Sequence, residues 1–264
     1  MAHDFTGRTV IVTGAARGQG AAEVALLVAS GAFVVATDVL DDEGHASVAE
    51  FAVPAAGRGS AVYRHLDVRA ESDWAALADW LRAAGRTVHG LVNNAGVPQR
   101  SRLGEVELAD WNRTLAINLT GPMLGLQALV PLMVPGSAIV NVGSVAGLTA
   151  HHAVPYTASK WGLRGLTRTA ALELGPLGIR VNILHPGLVE TSLMADAPTA
   201  FAQAHLSITP LGRAGTTGEM AAAVAFLLSD EASYITGAEL PVDGGFSSHG
   251  GAQVTSDAVR SASS

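Results

Sequence analysis

Tyr156 and Lys160 stand four residues apart in the run Tyr156-Thr157-Ala158-Ser159-Lys160, and on a helix that spacing places them one turn apart on the same face. A phenol with an ordinary pKa of about 10 is a poor base at neutral pH, but an ammonium beside it favours the phenolate. A tenfold change in that ionisation corresponds to roughly 1.4 kcal/mol. Ser144, upstream of Tyr156, adds a hydroxyl able to bond the oxygen of a reacting alcohol or carbonyl and to stabilise charge there. The chemistry suggested is proton transfer at such an oxygen. Alone, Tyr-x-x-x-Lys more often means a partly buried tyrosine beside a solvated lysine, so its weight depends on the rest of the chain.

A second group of residues suits a pyrophosphate. Thr13-Gly14-Ala15-Ala16-Arg17-Gly18-Gln19-Gly20 follows a β-branched run and precedes a helical one. Glycines there let the backbone approach phosphate closely, and the helix N-terminus offers free N–H groups and partial positive charge. The spacing is G-x-x-x-G-x-G, not the more usual G-x-G-x-x-G. Thr37-Asp38 ends the next strand, near the roughly 20-residue offset at which an acid bonds the adenosine ribose hydroxyls. Asp38 predicts NAD, because a carboxylate on the diol occupies the space of a 2′-phosphate and repels it. Arg17 is a contrary signal, since a cation in the turn would attract that phosphate; Asp38 carries more weight, and Arg17 reads as solvent-facing. Asp67-Val68 and Asn93-Asn94-Ala95-Gly96 also follow strands, where open α/β sheets bind ligands, although Asn and Gly serve equally as plain turns.

These residues need a scaffold that brings strand ends together. Strands are predicted at Thr9–Thr13, Phe33–Asp38, Ala61–Asp67, Gly90–Ala95, Ala138–Ser144, Arg180–His185 and Glu239–Val242. Between them lie helical segments such as Ala21–Ser30, closed by Gly31, and Ser72–Ala83, opened by Ser72 as N-cap. The alternation predicts an α/β class protein: a single-domain doubly wound Rossmann fold with a seven-stranded parallel sheet and helices on both faces. The domain is expected to span 1–246. Leu188–Gly215 is too long for an ordinary connection and reads as a substrate lid. Residues 247–264, rich in Ser, Gly and Ala, read as a mobile polar tail or peripheral arm.

Bulk composition excludes several classes. The 264 residues are 48% apolar and 15% charged, enough for a sheet covered on both faces. A net charge of −7 provides no field for nucleic acid or an anionic membrane surface. The absence of cysteine excludes disulfides, thiolate metal sites and a cysteine nucleophile. Met1 to Arg8 has no apolar signal core, so a cytoplasmic protein is expected. Thr114 to Ser159 contains no Asp, Glu, Lys or Arg, but Pro122, Pro131, Pro135 and Gly136 interrupt it, so a buried helix and strand, with a subunit interface, is expected rather than a membrane span. His151 and His152 have no carboxylate or third histidine at ligand spacing and read as loop residues, so no metal is expected.

The joint order is what makes coincidence implausible: glycine turn, acid after the second strand, Asn-Asn-Ala-Gly after the fourth, Ser after the fifth, then Tyr and Lys. From about Gly7 to Gly245 the chain resembles the short-chain dehydrogenase/reductase family. The resemblance implies a catalytic tetrad of Asn118, Ser144, Tyr156 and Lys160, with Asn118 holding a water that links Lys160 to solvent. It implies cofactor contacts from Gly14, Arg17, Gly18, Gln19, Gly20, Asp38, Asp67, Val68, Asn94, Ala95 and Gly96. Tyr156 and Lys160 join them, as do Pro186, Gly187, Val189 and Thr191 around the nicotinamide. Phrases such as His65-Leu66-Asp67-Val68, Lys160-Trp161-Gly162, His185-Pro186-Gly187 and Thr236-Gly237-Ala238-Glu239-Leu240 are similar to the family's hydroxysteroid-dehydrogenase branch. The interval from Ser144 to Tyr156 is one residue shorter than in that branch. The implied function is NAD-dependent interconversion of a secondary alcohol and a ketone, on a hydroxysteroid or a similar bulky apolar substrate, by a homotetramer. Two alternatives remain. One is reduction of a carrier-bound 3-oxoacyl thioester, with Arg100, Arg102 and Arg113 as a docking patch; the other is a catalytically silent NAD-binding module.

Overall fold

The computed structural model describes residues 3–52, 59–191 and 199–262. Seven strands, β1 (Thr9–Thr13), β2 (Phe33–Asp38), β3 (Ser60–His65), β4 (Val88–Asn93), β5 (Met133–Val142), β6 (Arg180–Pro186) and β7 (Glu239–Val242), form one sheet in the order β3-β2-β1-β4-β5-β6-β7. Every pairing is parallel. The order reverses between β1 and β4, and the crevice at their carboxyl ends is where such sheets bind ligands. The fold is the expected doubly wound one.

Strand alternation divides the core in two. Val10, Val12, Val34, Ala36, Ala138 and Val140 point to the face covered by α1 (Gly18–Ala29) and by a later helix, Thr217–Leu228, through Val24, Leu27, Val224 and Leu228. Ile11, Val35, Leu91, Ile139 and Val181 point the other way. Between α1 and that second face the chain forms α2 (Asp41–Val48); α3 (Glu71–Ala83), α4 (Leu108–Leu115), α5 (Gly121–Leu129) and α6 (Val154–Leu174) follow. α3, α5 and α6 cover the second face with Trp74, Leu77, Leu124, Leu129 and Ala170. Each such buried aliphatic side chain contributes about 1.5–3 kcal/mol.

The structure revises several sequence expectations. α1 begins at Gly18, not Ala21, so the glycine turn is itself the first helical turn. α3 has Ala70, not Ser72, at its N-cap; Glu71 and Asp73 supply negative charge in its first turn, and Asp73 accepts the Asp67 N–H. β5 starts five residues early because Gly136, at φ +92°, lets the Pro135-Gly136 corner turn back, while Ser137 Oγ donates to Val88 O.

The uncharged stretch was expected to be broken by proline. Instead, Leu108–Leu132 runs as one helical stretch long and apolar enough, by length and composition, to cross a membrane. A π-helical turn, Ala116–Thr120, joins α4 to α5, and Pro122 falls within the first two positions of α5, where a missing N–H does little harm. Thr114, Asn118, Gly121, Leu124, Gly125 and Leu129 are buried on its inner side.

The expected lid is described except at 192–198, which lie outside the described residues. Its ends are joined by a bridge between Val189 and Gly215, and α7 (Thr199–Ser207) lies within it, before α8 (Thr217–Leu228). The tail from Ser247 carries a helix, α9 (Ala252–Ala262). His249 bonds Ile208 O and Gln253 bonds Ser207 O, so this arm rests against the end of α7.

Candidate active site

The cofactor end is shaped by backbone. Thr13 Oγ1 accepts the N–H groups of Asn94 and Ala95 and donates to Val92 O, while Asn94 Nδ2 donates to the carbonyls of Thr13 and Gly14 at 3.0 Å each. The strand-four turn is thereby fastened to the glycine turn. A Cβ on Gly20 would lie 2.2 Å from Gly14 O and 2.7 Å from Asn94 Nδ2, and one on Gly14 would lie 2.8 Å from Ala95 Cα. Gly18 has φ +58° and faces Thr191, whose Cγ2 would be 3.8 Å from an added Cβ. The lid base thus lies beside the glycine turn. Arg17 is the N-cap of α1 and makes no side-chain cap, so the first-turn N–H groups of Gly18, Gln19 and Gly20 remain an anion-binding end. Gln19 turns away from them and donates to Glu23.

Asp38 sits at the carboxyl end of β2 with its carboxylate fixed. Oδ2 accepts Ala16 N–H at 3.0 Å, and Oδ1 accepts Val39 N–H at 2.8 Å and Leu40 N–H at 3.2 Å. Arg17 does not approach it; its guanidinium lies 3.7 Å from Glu43, both exposed. Asp67 is gripped by Arg69, which holds its carboxyl below the usual range. Val68 is buried against Gly121, and its carbonyl accepts from Trp74. Pro186 pairs with Val242, and a Cβ on Gly187 would lie 2.8 Å from Asp243 Cα.

The chemical end is built from side chains. Ser144 follows β5, and its Oγ accepts the Ala146 N–H at 3.1 Å and bonds the Tyr156 phenol. Lys160 is buried one turn along α6, its Nζ donating to Val142 O at 2.7 Å and lying 5.6 Å from the Tyr156 ring centre. Burial brings Lys160 down to about 8. Burial pushes the Tyr156 phenol up, and the Ser144 bond pulls it partly back. The structure therefore brings Ser144, Tyr156 and Lys160 together.

Asn118 lies in the π-helical turn, fully buried. Its Oδ1 accepts Val97 N–H, and its Nδ2 donates to Val97 O and to Ser159 Oγ, both at 3.0 Å. Both amide hydrogens are engaged, so the side chain clamps the strand-four loop to α6, and Oδ1, with one lone pair used by Val97, keeps one acceptor site. A methyl on Gly96 would touch both Asn118 Oδ1 and Lys160 Nζ, at 3.4 and 3.6 Å, so the two flank one small space.

The sequence points to Asn93 but not to its structural role, nor to Asn141, Thr167 or Ser159. Asn93, expected to line the cleft, is buried and donates to Asn141; Asn141 donates to Thr167, and Thr167 to Leu163 O. This ladder ties β4, β5 and α6 in register. Its signal was the placing of amides near the carboxyl ends of strands that are mostly apolar. Ser159, inside the Tyr-Lys run, is fully buried and links Asn118 to Tyr156 O. His151 meets Phe201 edge-on, Phe201 contacts His205, and His205 stacks on Phe246 with 4.1 Å between centroids, so an aromatic row joins the Ser144–Tyr156 loop to α7 and the carboxyl end. His152 is exposed.

The cradle fits a dinucleotide: Gly14 and Gly20 leave no room for a side chain, Gly18 holds a positive φ, a helix N-terminus stands open beside them, and a fixed carboxylate lies at the end of β2. A family model described as enoyl-(acyl carrier protein) reductase matches residues 14–247. The chain is 44% identical over 248 residues to a 3-alpha-(or 20-beta)-hydroxysteroid dehydrogenase of Mycobacterium bovis, covering 93% of this chain and 91% of that one. It is 42% identical over 244 residues to a trans-4-hydroxycyclohexanecarboxylate dehydrogenase of Sinomonas cyclohexanicum, covering 90% and 92%. The structure of a short-chain type dehydrogenase/reductase from Mycobacterium ulcerans superposes with a TM-score of 0.88 at 33% identity, covering 92% of this chain and 91% of that one. Sequence order, sheet topology and these likenesses agree: the chain belongs to the short-chain dehydrogenase/reductase family, as an oxidoreductase of secondary alcohols that acts on the CH–OH group with NAD or NADP.

Proposed function

We propose that this protein is an NAD-dependent dehydrogenase that interconverts a ring-borne secondary alcohol and its ketone, with Tyr156 as the acid/base. The observation that carries the reading is the convergence of Ser144 and Lys160 on Tyr156 from two separate elements. A bound nicotinamide supplies the hydride acceptor or donor. Ser144 Oγ already accepts Ala146 N–H, and its one O–H, which favours the Tyr156 phenolate in the free site, is the donor that a bound substrate oxygen would take up. Tyr156 takes the alcohol proton during oxidation and returns it during reduction. The Lys160 charge favours the phenolate against the burial that opposes it. Asn118 positions α6 and shares the space over Gly96 with Lys160, a place suited to a relay water.

Two features support NAD over NADP: an Asp38 carboxylate held by three backbone N–H groups, and an Arg17 paired with Glu43. A bulky apolar alicyclic substrate, such as a hydroxysteroid, is supported by the names of the two curated relatives and by the aromatic row from His151 to Phe246. The description of the family model favours an acyl-carrier substrate as the second reading, but such reductases ordinarily use NADPH, which Asp38 opposes. A homotetramer is supported by exposed apolar residues on α4 and α6, Leu108, Trp161 and Leu172. A cytoplasmic setting suits an enzyme that draws on the NAD pool. The test is kcat/KM for a panel of cyclic alcohols, hydroxysteroids included, and acyl thioesters with both cofactors. Cyclic alcohols with NAD should lead; a lead for thioesters with NADPH would overturn the reading. Asp38→Ala should then narrow the preference for NAD by about tenfold, roughly 1.4 kcal/mol.

A further inference from the structure

The β5–β6 register ends at Val142, Gly143 N–H still donates to Leu184 O on β6, and Ser144 is the first residue beyond that ladder. What holds Ser144 there is His185, fully buried near the end of β6. Its Nδ1 is 2.8 Å from Ser144 O and 3.3 Å from Ser144 N. A carbonyl oxygen only accepts, so the shorter contact is made with the hydrogen on Nδ1, the imidazole donating to Ser144 O; with the hydrogen on Nε2, Nδ1 accepts the Ser144 N–H instead, and either way the ring's one bond is to the Ser144 main chain. The ring occupies space that Gly143 leaves open, since a Cβ there would lie 2.6 Å from Nδ1.

The far side of the ring faces charge. Nε2 has no hydrogen-bond partner among the described residues and lies 3.6 Å from Glu239 Oε2. Glu239, on β7, is bonded by Arg164 Nε at 2.9 Å and paired with Arg168 at 2.7 Å. Arg164 reaches further, its Nη1 donating to Gly147 O at 2.7 Å. Gly147 ends the short turn Val145–Gly147 that follows Ser144. The Ser144 peptide is thus held by His185 and the turn after it by Arg164, while Glu239 lies between the two. An ordinary core histidine is bonded on both sides. This one makes its hydrogen bond only to Ser144, and a purely structural position would be filled more cheaply by leucine.

We propose that His185 is a positioning residue, fixing the main chain of Ser144 so that its hydroxyl meets the substrate oxygen, with Glu239 and Arg164 bracing the turn that follows. The inference rests on the role given to Ser144 above. A displacement of about 1 Å at a reacting group can cost on the order of 10²-fold.

The experiment measures kcat and KM on a competent cyclic alcohol with NAD, together with NADH affinity by fluorescence titration. It compares wild type, Ser144→Ala, His185→Leu, His185→Asn and the double variant Ser144→Ala/His185→Leu. His185→Leu should lower kcat about 10- to 100-fold with little change in NADH affinity. His185→Asn places an amide N–H near the position of Nδ1 and should restore kcat to within about threefold of wild type. In the Ser144→Ala background, His185→Leu should cost no more than about twofold further, because both changes disable one interaction. Wild-type kcat in His185→Leu, an Asn variant as poor as the Leu variant, or an equal cost in both backgrounds overturns the inference. A silent His185→Leu beside an inactive Ser144→Ala leaves the reading of Ser144 standing; a fully active Ser144→Ala removes that reading and this inference with it. If His185→Leu no longer binds NADH, Glu239→Gln carries the test, with kcat expected to fall about three- to tenfold at retained NADH affinity and no loss overturning the proposal.

Discussion

The two halves of the cleft are built in opposite ways. Around β1, β2 and β4 the site consists of backbone and excluded volume: glycines at 14, 18 and 20, N–H groups of a helix end, and one carboxylate fixed by main-chain donors. Around β5, β6 and α6 it consists of side chains that reach one another across long stretches of sequence, Asn118 to Ser159, Ser144 to Tyr156, Asn141 to Thr167. The first half fails when an atom is added. The second fails when one is removed.

The largest effect should follow removal of Lys160. Lys160→Ala should lower kcat by on the order of 10²–10⁴-fold and weaken cofactor binding as well. Lys160 is charged below about pH 8 and loses that charge as pH rises through it. Without it, Tyr156 keeps the upward push of burial, offset only in part by the Ser144 hydroxyl, so the pH profile of alcohol oxidation should move to higher pH. Steady-state rates across pH check both points, and an unmoved profile would separate the lysine from the tyrosine.

The opposite failure belongs to Gly20. A methyl there meets a backbone oxygen at 2.2 Å, which no side-chain rotation relieves. Gly20→Ala should weaken NADH binding by at least about tenfold, or roughly 1.4 kcal/mol, and lower Tm. Titration and thermal melting would show it, and unchanged binding would mean that the turn has slack.

A smaller effect sharpens the same comparison. Glu23 is buried in α1 with Gln19 as its partner, and burial raises it from 4.5 to about 8. The folded protein therefore keeps a proton that the unfolded chain releases. Its contribution to stability is full below pH 4.5 and is lost as pH rises through about 8. The slope is up to about 1.4 kcal/mol per pH unit between those values. Glu23→Gln resembles the protonated acid and should flatten that loss. Urea denaturation at pH 5 and pH 8 tests it; parallel behaviour of the two proteins would contradict the buried, protonated state.

The contrast also explains what the sequence disclosed. The cofactor half was legible because its determinants are local: a glycine run after a strand and an acid at the end of the next. The seven strands followed from alternation and β-branched runs, and only their ends moved, most at β5, where Pro135-Gly136 looks like a terminator but is a corner within the strand. The chemical half was legible only through order along the chain, since nothing local distinguishes Tyr156 from a packed tyrosine. Asn141, Ser159 and Thr167 stayed hidden, and Asn93 was read as a cleft residue and not as a rung of the ladder, because a buried hydrogen bond between residues as far apart as Asn93 and Asn141 leaves no spacing to detect. Pro122 misled for a related reason: the π-helical turn before it had already displaced the bond it would have broken.

The central claim is that the Tyr156 hydroxyl moves the proton. Tyr156→Phe keeps the ring and its packing and removes only that oxygen. Measured by steady-state kinetics on a cyclic alcohol and by NADH titration on the same preparation, kcat should fall by on the order of 10²–10⁴-fold or more while NADH affinity stays close to wild type. Near wild-type turnover in a folded, NADH-binding Phe variant would contradict the account.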